Sequence, residues 1–327
     1  MGHEPEVAAV SSRRQATPPL TRVILNPTSR HGSGRRSRPL IQRELDRRGV
    51  AYDIVQTEGP GHATELAAEA ARDGIPLVVA AGGDGTVHEV ANGLLATAAP
   101  PPSFGLIPIG TGNDFVKMVP GTSTIVEAIE TLARGIECPV DVGLARWNGR
   151  SEHFMNAMGT GIDVEVVRRL RRSRWLPGTA IYVGALLRAL ASYRPLPLRI
   201  DVDGATHEQR IMNLAVCNGP SIGGSFRICP DARFDDGLLN ACVIGEMPMH
   251  RNLRLVPHVL RGTHAGRSDV TMLRGRRFTL ARRDDGPLYF QLDGELRMAE
   301  EGSVEVVIEP HRLNVICRRP HGSGAHA

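Results

Sequence analysis

Hydrophobic positions in the first part of the chain follow two alternating patterns. Short apolar runs, Val23-Ile24-Leu25 and Leu77-Val78-Val79-Ala80-Ala81, have the length and β-branched content of buried strands. Each is followed by apolar positions spaced for one face of a helix: Leu40, Ile41 and Leu45 after the first, and Val87, Val90, Ala91, Leu94 and Leu95 after the second. Between them, 51–57 alternates like a strand and leads into an Ala-rich helix over about 63–73, stopped by Gly74-Ile75-Pro76. A further strand over 104–109 and a helix over 122–134 complete the series. Such βα units in succession predict a parallel sheet with helices on both faces. From about Cys138 the period changes to two. Segments near 140–144, 199–203, 212–217, 238–244, 278–280, 288–292 and 304–308 are bounded by Gly, Pro and Asp and predict an antiparallel sandwich. Helices near 163–173, 179–193 and 248–261 interrupt it.

Composition narrows the class. The 327 residues are 41% hydrophobic and 23% charged, ordinary for a soluble globular protein of one large or two medium domains. A net charge of +4 is weak evidence for nucleic acid and would suit an anionic nucleotide or an anionic membrane surface. Five cysteines (138, 217, 229, 242 and 317) without a CxxC pair predict reduced thiols in a cytosol, with neither a disulfide framework nor zinc. No run reaches the roughly 18 apolar residues of a spanning helix. The polar, Pro-containing start has no apolar core of a signal peptide. A protein of this make-up that acts on lipid would visit the membrane from solution.

The candidate chemistry sits where strands turn into helices. Gly82-Gly83-Asp84-Gly85-Thr86 joins an apolar strand to a helix start, and Gly110-Thr111-Gly112-Asn113-Asp114-Phe115 repeats the design one βα unit later. Glycines let backbone approach a phosphate, and N–H groups at a helix N-terminus point at it. Two such loops at one edge of a parallel sheet form the crevice where α/β proteins bind ligands. A carboxylate beside a polyphosphate points to Mg²⁺ or a bound water, while Asp84 in a plain strand-to-helix turn would be a helix cap. There is no Walker A sequence and no protein-kinase H-R-D or D-F-G set.

These two loops resemble the diacylglycerol kinase catalytic-domain family, which includes sphingosine kinases and bacterial lipid kinases. The first motif is shared with NAD kinases and phosphofructokinases; the second is more selective. The resemblance runs from about Val23 to Arg318. It implies an α/β N-terminal domain with a parallel sheet plus a C-terminal antiparallel β-sandwich, whose last strand (313–317) returns to the first domain. The expected division is a disordered extension over 1–20, a nucleotide-binding domain over 21–137, a lipid-substrate domain over 138–309, the returning strand over 310–319 and a disordered tail over 320–327. The implied reaction transfers the γ-phosphoryl of ATP to a lipid hydroxyl, with diacylglycerol as first substrate. ATP would lie against Asn26, Thr57, Gly82, Gly83, Asp84, Gly85, Thr86, Gly110, Thr111, Asn113 and Asp114, with Asp84 and Asp114 on the Mg²⁺ side.

In the second half, Pro230-Asp231-Ala232…Asp235-Asp236-Gly237 reads by itself as an ordinary turn, but it resembles a family segment with a structural Mg²⁺, which implies that the Asp236 side chain and the backbone carbonyls of Arg233 and Leu238 would hold the ion here. Asp293-Gly294-Glu295 reads by itself as a hairpin-like D-G turn; the resemblance makes Glu295 the expected general base and Asp84 the rival. Asn156 and Gly159-Thr160-Gly161 resemble a segment beside the lipid cleft. Two departures stand out: Arg30 where the family has glycine in its Asn-Pro-x-Ser-Gly loop, and His88 where it more often has Asn. The segment 166–176, with five arginines among Val, Leu and Trp, reads as a basic amphipathic stretch able to sit on anionic headgroups. The expected partners are ATP and a lipid at the membrane surface, with peripheral membrane contact from the cytoplasm, no nucleic acid, and a homodimer left open. The alternatives are a soluble-substrate kinase of the NAD kinase type and a non-catalytic lipid- or nucleotide-binding protein on the same scaffold.

Overall fold

A computed structural model of the protein describes residues 21–97, 100–172, 179–190, 192–224 and 226–318. The extension expected over 1–20, the tail over 320–327 and the side chains of the basic segment over 171–176 lie outside the described residues.

The first domain is built on parallel strands β1 (Thr21–Leu25), β2 (Tyr52–Gln56), β3 (Leu77–Gly82) and β4 (Ser103–Pro108), in the order β2-β1-β3-β4. The helices α1 (Ser29–Arg47), α2 (His62–Arg72), α3 (Asp84–Leu95) and α4 (Ile125–Arg134) cover both faces. Alternate strand residues explain the continuous apolar runs. Ile24, Val78 and Ala80 pack with the apolar stripes of α2 and α3, whereas Val23, Leu25, Val79 and Ala81 pack with Ile41, Leu45, Ala128 and Ile129 of α1 and α4. The last helix starts at Ile125 and not at 122, because Thr124 caps it by accepting the Glu127 N–H at 3.1 Å.

The second domain is antiparallel. Its strands are β5 (Ile136–Trp147), β6 (Arg150–Phe154), β7 (Ala157–Gly161), β8 (Leu196–Val202), β9 (Ala205–Cys217), β10 (Leu239–Gly245), β11 (Val270–Gly275), β12 (Arg277–Arg282), β13 (Leu288–Leu292), β14 (Glu295–Ala299) and β15 (Ser303–Cys317). The helices α5 (Ile162–Arg172), α6 (Thr179–Leu190) and α7 (Met249–Arg261) accompany them. Two apolar clusters result. One lies inside the curled sheet around Phe154, Phe278 and Phe290, and the other between the sheet and α5–α7. β7 is a strand the pattern did not announce: Ala-Met-Gly-Thr-Gly is buried throughout, so it shows no alternation.

β15 joins the domains. Its first half pairs antiparallel with β12 and β5, the register shifts between Glu309 and Leu313, and Val315 then pairs parallel with Phe104 of β4. This pairing also corrects the expectation for the cysteines. β5 and β15 set Cys138 opposite Val315, so Cys317 lies two residues along, and Cys138 and Cys317 form a disulfide with Cα atoms 6.1 Å apart. Cys217, Cys229 and Cys242 are free and buried. Among the described residues, no helix is long and apolar enough to cross a membrane.

Candidate active site

The C-terminal ends of β1 to β4 share one sheet edge. Ile109 and Gly110 both donate backbone N–H groups to the Gly82 carbonyl, at 2.8 and 3.1 Å, so the two glycine loops start from a common point. They stay in contact: a Cβ on Gly110 would lie 2.4 Å from the Gly83 Cα, a distance only glycine tolerates. Asn26, just past β1, donates from Nδ2 to Thr86 Oγ1 at 3.1 Å and accepts the Thr28 N–H at 3.0 Å. Thr57 is buried at the end of β2 and donates its N–H to the Leu25 carbonyl at 3.0 Å. The loop after β1 takes a left-handed path through Arg30 (φ 45°), His31 (φ 55°) and Gly32 (φ 84°). Arg30 thus adopts a conformation that glycine would adopt without strain, which costs about 1–2 kcal/mol.

Asp84, the first residue of α3, does not cap its own helix. Its carboxylate accepts the N–H of Asn113 on Oδ2 at 2.7 Å and that of Asp114 on Oδ1 at 2.6 Å, and so ties the first loop to the second. Asp114 reaches on into the second domain, where it accepts the Gly224 N–H at 2.8 and 3.0 Å. Lys117 donates to the Gly224 carbonyl at 2.7 Å, so the N–H and the C=O of this one residue are both held from the first domain. Burial raises the Asp84 carboxyl against the pull of its two amide hydrogen bonds. Burial, with the Asp84 charge, pushes Asp114 up to about 7. Asn113 stands at φ 51°, and its buried Oδ1 has no hydrogen-bond partner.

The β13–β14 turn faces these loops. Asp293, whose side chain is 4% exposed, accepts N–H groups from Met155 at 2.7 Å, Asn156 at 2.9 Å and Ala157 at 3.0 Å. Its Oδ2 also meets His88 Nδ1 of α3 at 3.1 Å. The other ring nitrogen meets Glu152 Oε1 at 2.7 Å, and Arg297 grips Glu152 with Nε at 2.6 Å from Oε2 and a second guanidinium contact to Oε1. Burial would lower the His88 pKa, but the hydrogen bonds and charges of Asp293 and Glu152 outweigh it and hold it at about 9. Burial likewise opposes ionisation of Glu152, yet His88 and Arg297 hold it down at about 2. Glu295 opens β14 half-buried, its Oε1 3.9 Å from where a Cβ on Gly85 would stand.

A cavity of about 480 Å³ runs inward from this polar group. Asp84, Asp114 and Asp293 make its polar part, and Val166, Leu190, Met212, Leu255 and Val259 its apolar part. Between them Asp163 is held protonation-prone by burial, with Gln291 Nε2 donating to its Oδ2 at 2.8 Å. Asn156 also lines the cavity, as its position beside β7 requires.

The Asp236 segment lies apart from that cavity wall. Asp236 accepts the Leu238 N–H at 3.1 Å, and Arg274 donates to its Oδ2 at 2.6 Å. The Arg233 guanidinium pairs with Asp235 at 3.0 Å. Fully buried Asp141 anchors the turn by accepting the N–H of Gly237 at 2.6 Å and of His311 at 2.8 Å. Among the described residues, no group of three or more His, Cys, Asp or Glu side chains is arranged to hold a metal ion.

Several members of the site were not assigned from sequence: Asp293, Glu152, Arg297, Lys117, Gly224 and Asp163. Asp293 had a visible signal, since the D-G turn that carries Glu295 begins with it. The others come from separate elements, and nothing in their local sequence marks them.

Comparison with known proteins agrees with this arrangement. Residues 21–145 match the model of the diacylglycerol kinase catalytic domain, and residues 156–317 match the C-terminal NAD kinase β-sandwich-like domain of YegS. The diacylglycerol kinase of Bacillus subtilis is 30% identical over 277 residues, covering 84% of this chain and 89% of that one. The diacylglycerol kinase of Mycobacterium tuberculosis is 33% identical over 261 residues, 77% and 82% of the two chains. A crystal structure of a diacylglycerol kinase from Bacillus anthracis superposes with a TM-score of 0.69 over 93% of this chain and 98% of that one; at 22% identity it speaks to fold alone. The chain therefore belongs to the diacylglycerol kinase catalytic-domain family, a family of lipid kinases.

Proposed function

We propose that the protein transfers the γ-phosphoryl group of ATP to the hydroxyl of a diacylglycerol-type lipid. One observation carries this reading: a single cavity joins three carboxylates and residues of the two glycine loops to an apolar end lined by α5–α7. That apolar end matches the acyl chains of a lipid acceptor. The glycine loops offer backbone N–H groups to the phosphates, Thr86 and Thr111 offer hydroxyls, and the unpartnered Asn113 Oδ1 can accept from a nucleotide hydroxyl or amine.

Mg²⁺ arriving with ATP fits the donor set. Asp84 and Asp114 are both raised by burial, and Lys117 lowers both, so a further cation between them is electrostatically favourable. Mg²⁺ is commonly held by one or two carboxylates with substrate phosphates and water. When bound there it would neutralise charge developing on the transferred group. Glu295 accepts the proton of the lipid hydroxyl as its oxygen attacks the γ-phosphorus. The bond from that phosphorus to the bridging oxygen breaks, and ADP leaves. Supporting Glu295 over Asp84 as base, the Asp84 carboxylate already holds two loop amides.

The test is label transfer from ATP with Mg²⁺ to lipids in mixed micelles: diacylglycerol, monoacylglycerol, ceramide, sphingosine, phosphatidylglycerol and undecaprenol, with NAD as soluble control. Labelled phosphatidic acid is expected, and it should be lost in Asp84→Ala. Glu295→Gln should cut kcat by about a hundredfold or more with folding intact. Near-normal turnover in that variant would return the base role to Asp84, and label in NAD alone would overturn the lipid reading.

A further inference from the structure

A substrate with long acyl chains resides in a bilayer, so a cavity for it needs a route from one. The apolar part of the cavity is walled by Leu255, Val256 and Val259 of α7 and by Leu190 of α6, which packs beside α7. Outward along α7, Met249 and Leu253 are one turn apart and in step with Val256 and Leu260. Val256 is half-buried, while Met249 and Leu253 are 41% and 43% exposed, and Leu187 on α6 is 44% exposed. The apolar stripe is therefore continuous from solvent to the cavity wall. Its flanks are basic. From Met247 to Ser268 the chain has no Asp or Glu but has arginines at 251, 254, 261 and 267 and histidines at 250, 258 and 264. Arg251, Arg254 and Arg261 are exposed on α7, and Arg188 is exposed on α6 beside Leu187. Asp269, just beyond this stretch, stands 3.4 Å from Arg251.

We infer that the outer face of α6 and α7 is a membrane-docking surface, which seats Met249, Leu253 and Leu187 among the lipids of an anionic bilayer and sets its arginines on the headgroups. The inference rests on the proposed lipid substrate, and it adds the surface through which that lipid is reached. An apolar stripe flanked by arginines is the chemistry of a helix lying in the interface, where burial and attraction to anionic lipid act together. Continuity with the cavity favours a bilayer over a protein partner: a lipid passing from Leu253 to Val256 stays against apolar side chains.

Co-sedimentation with vesicles tests it, comparing phosphatidylcholine alone with phosphatidylcholine containing phosphatidylglycerol. The wild-type chain should prefer the anionic vesicles, and salt should weaken binding. Combining Met249→Glu with Leu253→Glu should reduce vesicle affinity about tenfold or more. Neither residue lines the cavity, so phosphoryl transfer to a water-dispersed short-chain diacylglycerol should be unchanged. Arg254→Glu should remove most of the preference for anionic vesicles while leaving that transfer intact. A double variant that sediments like wild type, or a wild type indifferent to phosphatidylglycerol, would overturn the inference. Vesicle binding is read without turnover. Binding lost in the double variant, with no lipid phosphorylated by any form, would sustain the docking surface and overturn the kinase reading alone.

Discussion

His88 is where the polar chemistry of the two domains meets, and it shows how a residue type visible in sequence acquires meaning only from its neighbours. A histidine at a position more often Asn is legible from the chain; its partners Asp293 and Glu152 lie 205 and 64 residues away and are not. The groups facing it are these two carboxylates, with Arg297 on Glu152 and Asn92 one turn along α3. Because its pKa is raised from 6.5 to about 9, the folded state binds a proton that the unfolded state has released across that window. The stabilisation is complete below about pH 6.5 and is lost as pH rises through about 9, a change on the order of 3 kcal/mol. Thermal midpoints of wild type should therefore fall more steeply from pH 6.5 to 9 than those of His88→Gln. Parallel curves would mean that His88 is neutral in the folded chain. Asp293 makes the same point from the other side. At φ 47° it makes the D-G turn that its sequence predicts, yet its carboxylate also gathers three backbone N–H groups.

At the scale of elements, hydrophobic pattern served well where a segment has one environment along its length. β1 and β3 are buried on both faces and read as apolar runs; α2 and α3 are buried on one stripe and read as helices. It failed where environment changes within a few residues. β6 is Arg-Ser-Glu-His-Phe at a sheet margin, β14 begins inside the cleft, and neither alternates cleanly. The Asp236 turn is an element whose sequence allowed two readings, an ordinary turn or a Mg²⁺ loop. One carboxylate with two backbone carbonyls is a hard-oxygen set suited to Mg²⁺, but Arg274 already supplies a positive charge 2.6 Å from Asp236 Oδ2. The outcomes separate cleanly in a Mg²⁺ titration without nucleotide. If the loop holds the ion, Mg²⁺ should raise the thermal midpoint of wild type and of Arg274→Ala, and have no effect on Asp236→Asn. Equal responses in all three would leave Arg274 as the sole counter-ion of Asp236.

At the scale of the molecule, the cleft is made by contacts that cross it, Asp114 and Lys117 to Gly224 and His88 to Asp293, while Asp84 joins the two glycine loops on one side. Gly224 takes a left-handed φ of 80°, which lets its N–H and carbonyl serve two first-domain side chains at once. Lys117 is exposed, so its contact is screened, and Lys117→Ala should cost about 1 kcal/mol or less in global stability. The larger effect should be local. Hydrogen exchange at the Gly224 amide should quicken while amides of the β8–β9 core keep their protection. Unchanged exchange at Gly224 would assign the clamp to Asp114 alone.

What depends on local order is legible in the chain. Strand–glycine–helix junctions, the change of period near Cys138 and the acidic residues within the glycine motifs are all written in consecutive residues. Which of those residues meet is set by how the folded chain packs. The Cys138–Cys317 pair spans 179 positions, contrary to the expectation of reduced thiols, because β15 runs back beside β5. The cavity draws its walls from both domains, and the buried His88 cluster takes each charged member from a different element. Such groups are costly to bury alone and stable only together, so their pairing is a property of the packed chain and leaves no periodic trace in the sequence.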